Sequence, residues 1–244
     1  MDLEAMGPKT TFSALHDFCA ERLGAPSAAR LVRLARPGFE LTQAGPGEAA
    51  GHSRFGGRAM LEPGTPWPDC EGTPLSLLAV LDTDALAPWL DDLLPAGTGL
   101  LNFFALDSAS ERADPAAFEP VPWSAAPGFA FPDAWDPAWG TVDLGSVVDD
   151  MPLYDITALL PGWPEQPYAL HADDLAFGWP LFPTGSSPML PDGEESSHYQ
   201  HLLQLSGQDE WWIGGDSGWM HWSIPTGALR GGDFSRTVPT PDIW

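Results

Sequence analysis

Basic residues are scarce in this chain of 244 residues, which has ten lysines and arginines against 34 aspartates and glutamates and a formal net charge of −24. Lysine occurs once, at Lys9, and asparagine once, at Asn102. Between Arg58 and Arg230 the only lysine or arginine is Arg112, whereas 26 acidic residues lie in that interval. Direct binding of nucleic acid requires a basic surface that neutralises phosphates. The sequence therefore argues against a nucleic-acid-binding protein and against binding to an anionic membrane.

The acidity itself has two interpretations. A field of this sign attracts cationic proteins, metal ions and basic peptides and speeds their encounter at low salt. The same composition also arises from a GC-rich genome or a salt-rich cytoplasm, without any partner. Both interpretations stay open at the level of the sequence.

Long apolar runs and a secretory leader are also missing, so we expect a soluble, cytoplasmic protein. The two cysteines, Cys19 and Cys70, form neither a C-x-x-C pair nor a zinc spacing. We expect both to be free thiols that behave as small buried residues. No cofactor is expected.

Aromatic residues, proline and glycine are abundant. Twelve Trp and twelve Phe supply apolar area for a packed core, while 27 Pro and 26 Gly indicate short strands and many turns. The length fits one domain or two closely packed halves.

The N-terminal residues 1–52 are expected to form a helical segment and a connector. Apolar spacing over 11–36 predicts two short helices, and residues 38–52 lack a sustained period. An apolar run at 75–81 then predicts a buried strand, followed by a short helix at 85–94 and a second strand at 100–106.

A similar pattern recurs towards the C-terminus. In both regions a short apolar strand, 77–81 or 202–205, leads to an aromatic strand that begins at glycine, 99–104 or 218–224. The sequence therefore predicts an α+β fold of two related strand-rich halves, by internal duplication, with short helices.

Three motifs carry a family resemblance. They are Ser53-Arg54-Phe55-Gly56-Gly57 with Pro66-Trp67-Pro68 and Gly72-Thr73-Pro74-Leu75, then Leu175-Ala176-Phe177-Gly178-Trp179-Pro180, and finally Leu202-Leu203-Gln204-Leu205 with Gly215-Asp216-Ser217-Gly218-Trp219. Residues 53–236 thereby resemble the YwqG-like proteins, also called the DUF1963 family. The Pro-rich residues 237–244 depart from the hydrophobic strand of that family and are expected to form a C-terminal tail.

This resemblance implies a mixed α and β fold and brings no firmly assigned activity. Some members of the family are thought to be encoded beside secreted toxin genes, which implies an immunity role.

Two groups of candidate site residues follow from the motifs. The first, for a metal ion, comprises His171, Asp173 and Asp216, since carboxylates and histidine are common metal ligands. Asp216 lies in a glycine-rich turn, where such a side chain more often binds its own backbone. No recognised catalytic motif is present.

The second group, for a small ligand, comprises Arg54, Gly56, Gly57, Trp179, Trp219 and Asp216. Arg54 either pairs with a carboxylate to fix local structure or anchors an anionic ligand above the bare Gly56-Gly57 backbone.

The sequence thus favours a non-enzymatic binding protein, an immunity or inhibitor protein that masks a basic toxin or another cationic partner. The alternatives are a small-ligand-binding protein, a metal-assisted hydrolase that uses the His/Asp cluster, and a structural scaffold without a ligand.

Overall fold

A computed structural model of the chain describes residues 8–90, 93–106, 118–131, 160–170, 173–180, 199–207 and 218–243. The helices in these ranges are α1 (Pro8–Leu23), α2 (Ala25–Leu31), α3 (Thr83–Leu90) and α4 (Thr226–Gly231), with a 3₁₀ turn at Phe234–Arg236. The strands are β1 (Arg36–Gln43), β2 (Arg54–Phe55), β3 (Asp69–Cys70), β4 (Thr73–Pro74), β5 (Ser76–Asp82), β6 (Leu100–Ala105), β7 (Val121–Ala130), β8 (Leu175–Phe177), β9 (Tyr199–Ser206), β10 (Gly218–Pro225) and β11 (Val238–Ile243).

Of the helices in these ranges, none has the length and apolar character needed to span a bilayer.

Nine of the strands form one sheet in the order β11-β10-β9-β8-β1-β7-β2-β5-β6, and all neighbouring pairs are antiparallel. Strands β3 and β4 form a separate hairpin. The predicted α+β class is confirmed, as are the two N-terminal helices.

The sheet curls so that β6 at one end approaches β10 near the other end. The indole N–H of Trp222 donates a hydrogen bond of 3.2 Å to the carbonyl of Phe104. The rings of Phe103 and Trp222 pack edge to face with centroids 5.5 Å apart. The sheet is therefore close to a barrel, with a side-chain contact where a further strand ladder would close it.

The predicted buried strand is β5, all seven residues of which are buried between β2 and β6. Helix α3 follows directly, as expected. The carboxylate of Asp82 accepts hydrogen bonds from the backbone N–H groups of Ala85 (3.3 Å) and His52 (2.9 Å). This side chain both caps the helix and fixes the approach to β2.

Strand β1 corrects the expectation that residues 38–52 only connect two regions. It pairs with β7 over eight residues and also with β8, in the middle of the sheet. The alternation of buried apolar and more exposed residues along β1 is short, since only Phe39 and Leu41 are buried apolar side chains. At Gly38 a Cβ atom would lie 2.9 Å from the carbonyl oxygen of Ala176, so glycine permits the close approach of β8.

Strand β11 corrects the expectation of a C-terminal tail. Residues 238–243 pair with β10 and form one edge of the sheet, although the strand contains Pro239 and Pro241. Proline lacks a backbone N–H, and edge strands tolerate it because one side of their backbone needs no partner strand. The two prolines also remove donors that would invite another strand to pair there.

The main core lies on one face of the sheet beneath α1–α3, whereas a small second cluster lies apart from it. Ala130, Trp179 and Tyr199 form that second cluster, with Leu170 and Val238 packed against them. Cys19 is buried in the main core, and Cys70 is exposed on the β3–β4 hairpin. Both thiols are free, but the expected burial holds for Cys19 alone.

Candidate functional site

Strands β9, β10 and β11 carry buried polar side chains on one face. On β10, His221 and Ser223 alternate with Met220, Trp222 and Ile224, which belong to the main core. Successive residues of a strand point to opposite faces, so the two polar side chains face away from that core. Their cross-strand partners are Gln204 and His201 on β9 and Thr240 and Val238 on β11.

His201 is fixed by a hydrogen bond to the backbone of β8. Its Nδ1 lies 2.9 Å from the carbonyl oxygen of Phe177. Because a carbonyl only accepts, Nδ1 carries the proton, and Nε2 of the neutral ring is an acceptor. Burial, together with a smaller effect of the positive charge of Arg36, lowers the pKa of His201 to about 4, although hydrogen bonds to backbone oppose the shift. The ring is therefore neutral at pH 7.

His221 lies beside His201, with the two ring centroids 6.0 Å apart and both side chains at most 1% exposed. Burial lowers the pKa of His221 well below its ordinary value, and proximity to His201 lowers it further. Two neutral imidazoles thus occupy neighbouring strands in a site without solvent contact.

Arg36 brings a positive charge to this region from the first position of β1. Its guanidinium carbon lies 3.5 Å from the ring centroid of Trp179, and its Nη1 donates to the carbonyl of Tyr199 at 3.4 Å. The Trp179 indole N–H in turn donates to the carbonyl of Leu34 at 2.6 Å. Burial lowers the pKa of Arg36 to about 10, so the guanidinium stays protonated at neutral pH. We call His201, His221, Arg36 and Trp179 the histidine–arginine cluster.

The side chain of Arg54 forms hydrogen bonds with the backbone of its own loop. Its Nη1 and Nη2 donate to the carbonyls of His52 (2.9 Å) and Arg58 (2.6 Å). Burial lowers the pKa of Arg54. The side chain thus fixes local structure, as one interpretation of the sequence predicts, although its partners are backbone carbonyls. Its role as a ligand anchor stays a prediction.

The glycine pair after Arg54 has a structural reason as well. Gly56 has a φ of 62°, and a Cβ atom there would lie 2.7 Å from the carbonyl oxygen of Glu119. The N–H of Gly57 donates to the carbonyl of Phe118 at 2.9 Å. The bare backbone therefore lets this loop close against the start of β7.

The structure separates the predicted ligand residues into two places. Trp179 belongs to the histidine–arginine cluster, and Trp219 lies two residues before His221 on β10, opposite Asp242 of β11. Arg54, on β2, lies four positions from β9 in the strand order. His171 and Asp216 fall outside the described residues.

Of the predicted metal ligands, Asp173 is exposed before β8, where its carbonyl accepts from the Gln204 side chain at 3.0 Å. The neighbouring Asp174 is partly buried. Its Oδ1 accepts from the N–H and the hydroxyl of Ser206, both at 2.8 Å, while burial raises the pKa of its carboxyl. Among the residues that the structure describes, no three histidine, cysteine or acidic side chains form a metal-binding group.

Sequence reasoning missed Arg36 and His221 as members of one cluster. A signal exists in retrospect: histidine stands at a buried position within the apolar strands at 199–206 and 218–225. Polar residues inside such strands must find partners or lie in a polar site. The contribution of Arg36 has no local signal, because β1 is distant in sequence.

Comparison with known proteins places one end of the sheet in a family. Residues 53–125, which run from β2 to the first part of β7, match the family model described as Domain of unknown function (DUF1963). The resemblance predicted from the motifs is therefore confirmed for these residues. No curated protein matches the chain. The histidine–arginine cluster lies outside the matched range.

Proposed function

We propose that the protein is a non-enzymatic binding protein whose acidic surface masks a basic partner, in the manner of an immunity or inhibitor protein. The observation that carries the proposal is the charge distribution: 26 of 34 acidic residues lie between Arg58 and Arg230, with Arg112 as the only lysine or arginine in that interval. Such a field raises the rate of association with a cationic protein and favours the bound state at low salt.

The exposure of acidic side chains supports this proposal. Four acidic side chains are exposed from the end of β2 to the first turn of α3: Glu62, Asp69, Glu71 and Asp84. Between described residues, carboxylates pair with basic side chains at two places, His16–Asp17 (3.6 Å) and Arg22–Glu21 (3.5 Å), both on α1.

The arginines act largely within the fold. Arg22 donates to the carbonyls of Pro161 and Phe18, both at 3.1 Å, as Arg36 and Arg54 do to other carbonyls. These three guanidinium groups donate to backbone carbonyls, and among the described residues Glu62, Asp69, Glu71 and Asp84 form no ion pair with a basic side chain.

The test is affinity capture followed by titration calorimetry. The purified protein is immobilised, proteins from a native lysate are eluted with increasing salt, and the recovered partner is purified. We expect a basic protein that binds with definite stoichiometry and whose Kd weakens as salt rises from 50 to about 300 mM, because screening shortens the range of the field.

Two triple variants, each of which removes three negative charges, make the test more specific. The first combines Glu62→Gln, Glu71→Gln and Asp84→Asn, and the control combines Asp17→Asn, Glu21→Gln and Glu48→Gln, all outside the acidic interval. We expect the first to weaken binding more, because Asp17 and Glu21 already lie beside basic groups. Binding that responds neither to salt nor to either variant would contradict the electrostatic proposal.

The alternative is a small-ligand or metal-assisted function of His171, Asp173 and Asp216. Its test is thermal unfolding of the wild-type protein and of Asp216→Ala with divalent metal ions. A metal-dependent rise in Tm that the variant loses would favour it over the masking function.

We also propose that the two ends of the sheet arose by internal duplication. Support comes from the order of elements, in a correspondence shifted by one strand from that of the sequence pattern. Both β5-α3-β6 and β10-α4-β11 are a strand, a helix and an antiparallel neighbouring strand. Failure of the two units to superpose in an experimental structure would count against this origin.

A further inference from the structure

The histidine–arginine cluster joins four strands of the sheet on the face opposite the main core. His201 ties β9 to β8 through the carbonyl of Phe177, and His221 faces it from β10. Arg36 reaches the same region from β1 and donates to the carbonyl of Tyr199 on β9. The apolar packing beside these groups is the small second cluster, which is held apart from the main core.

Both basic and acidic side chains lie near the two rings. Arg36 is positive and acts on His201, and His201 acts on His221. Among acids, Asp242 of β11 lies opposite Trp219, and Asp174, beside β8, is bound by Ser206. Tyr199 of β9 is fully buried. A proton added to His201 would place a second positive charge near Arg36, and protons on both rings would place two imidazolium groups 6.0 Å apart, in a site with little water where repulsion is weakly screened.

We propose that the His201–His221 pair is an acid-sensitive device that opens the β8–β11 part of the sheet when either ring takes up a proton. Opening hydrates the ring, separates it from Arg36 and breaks the bond between His201 and Phe177. The remaining strands keep the main-core contacts that they make with α1–α3, whereas the opened strands withdraw Met220, Trp222 and Ile224 from that core. The device is independent of the partner proposed above.

The sign of the pH dependence follows from the direction of the shifts. Burial lowers both histidine pKa values, so the closed state stays unprotonated while an opened, hydrated ring takes up a proton below about pH 6.5. Opening is therefore favoured as the pH falls. For His201 the effect extends from about 6.5 down to about 4, the pKa in the closed state. Each ring would raise the opening equilibrium constant by about tenfold per pH unit in this window.

The test is hydrogen exchange with mass spectrometry at pH 7.5, 6.5 and 5.5, corrected for the intrinsic exchange rate. In the wild-type protein we expect the exchange of peptides from β8, β9 and β10 to rise at pH 5.5 by about tenfold or more relative to pH 6.5. Peptides from β5, which pairs with β2 and β6 and not with the opened strands, should change least. This pH range lies above the ordinary pKa of carboxyl groups, and the raised pKa of Asp174 stabilises the closed state as the pH falls, so carboxyl titration does not account for opening on acidification.

The test variants are His201→Asn, whose amide nitrogen replaces Nδ1 as the donor to Phe177, and His221→Gln. Together they should abolish the rise in exchange, whereas the control His16→Gln, on the exposed face of α1, should leave it unchanged. An unchanged rise in the double variant, or a uniform rise over the whole sheet, would overturn the proposal.

If a variant fails to fold, the proposal is tested instead by the NMR signals of the histidine rings in the wild-type protein, followed as a function of pH. We expect the His201 and His221 signals to stay neutral until the exchange of β8–β10 accelerates. Titration of both rings near pH 6.5 without any acceleration would equally overturn the proposal.

Discussion

The side chain of Asn102, the only asparagine in the chain, pairs with the backbone of Met60 through two hydrogen bonds. Its Oδ1 accepts from the Met60 N–H at 2.8 Å, and its Nδ2 donates to the Met60 carbonyl at 3.1 Å. The amide thus imitates the peptide group of a neighbouring strand. Together with the packing of Trp67 on Phe104 (5.2 Å between ring centroids), it holds the segment after β2 against the edge strand β6. This contact covers a strand edge that would otherwise be open to pairing.

Asn102→Asp removes the donor of this pair and leaves two acceptor oxygens facing each other. We expect a loss of about 1 kcal/mol in the free energy of unfolding, the usual value for one such hydrogen bond. Urea denaturation measures it. Gln43→Glu, which adds the same charge at an exposed position, is the control. Equal destabilisation by the two variants would show that charge, and not the Met60 pair, is responsible.

Trp222→Phe removes the N–H that reaches the carbonyl of Phe104 while retaining an aromatic ring against Phe103. We expect a stability loss of about 1 kcal/mol and faster amide exchange in β6. The control is Trp67→Phe, which removes a donor to the carbonyl of Leu75, keeps an aromatic ring beside Phe104 and leaves the Trp222–Phe104 hydrogen bond in place. Faster exchange in β10 and β6 together should occur only in the first variant. Identical exchange in both would contradict a closing role for Trp222.

Gly56→Ala should destabilise the protein more than Gly64→Ala. Both positions have positive φ (62° and 88°), which costs a residue with a Cβ atom about 1–2 kcal/mol. Only at Gly56 would the added atom also meet backbone, 2.7 Å from the oxygen of Glu119, whereas nothing lies within 4 Å of it at Gly64. Thermal and urea unfolding of the two variants give the difference. No difference would mean that the loop relaxes freely.

Because the thiol of Cys19 is buried, we expect the free energy of unfolding to fall at alkaline pH. Burial raises the pKa of its thiol from 9.0 to about 11, although the charge of Arg22 opposes this shift. The unfolded thiol ionises above pH 9 while the folded one keeps its proton, so the free energy of unfolding falls as the pH rises from 9 to about 11. The full effect is about 3 kcal/mol.

Comparison of Cys19→Ala with the wild-type protein at pH 7.5 and pH 10 isolates this contribution, and Cys70→Ala is the control because Cys70 is exposed. A thiol reagent should likewise modify Cys70 in the native state and Cys19 only after unfolding. Rapid modification of both thiols in the native protein would contradict the burial of Cys19.

Sequence patterns predicted the elements whose signal is local. Strand β5 is a continuous apolar run, α3 has its capping carboxylate directly before it, and β9 and β10 combine apolar and aromatic residues. Strands β1 and β11 escaped prediction for opposite reasons. The first has two buried apolar side chains and takes its stability from hydrogen bonding on both sides, and the second has prolines that only an edge position tolerates.

For the candidate site, too, the sequence marked individual residues, whereas the contacts between them came from the fold. Trp179 and Trp219 stood out because they belong to motifs, and Arg54 because it precedes two glycines, but none of these signals reports which side chains meet. Arg36 lies more than 140 residues from Trp179, and the pairing of β1 with β8 brings them together.

By itself the sequence determined the composition of the core, the acidic charge, the family resemblance of residues 53–125 and most of the helices and strands, because these depend on residue identity and short-range spacing. Tertiary structure alone decided the order of strands, the approach of β6 to β10 and the meeting of Arg36, His201 and His221. Those features arise from pairing between distant segments and from burial, which changes the ionisation of a side chain without any change in its identity.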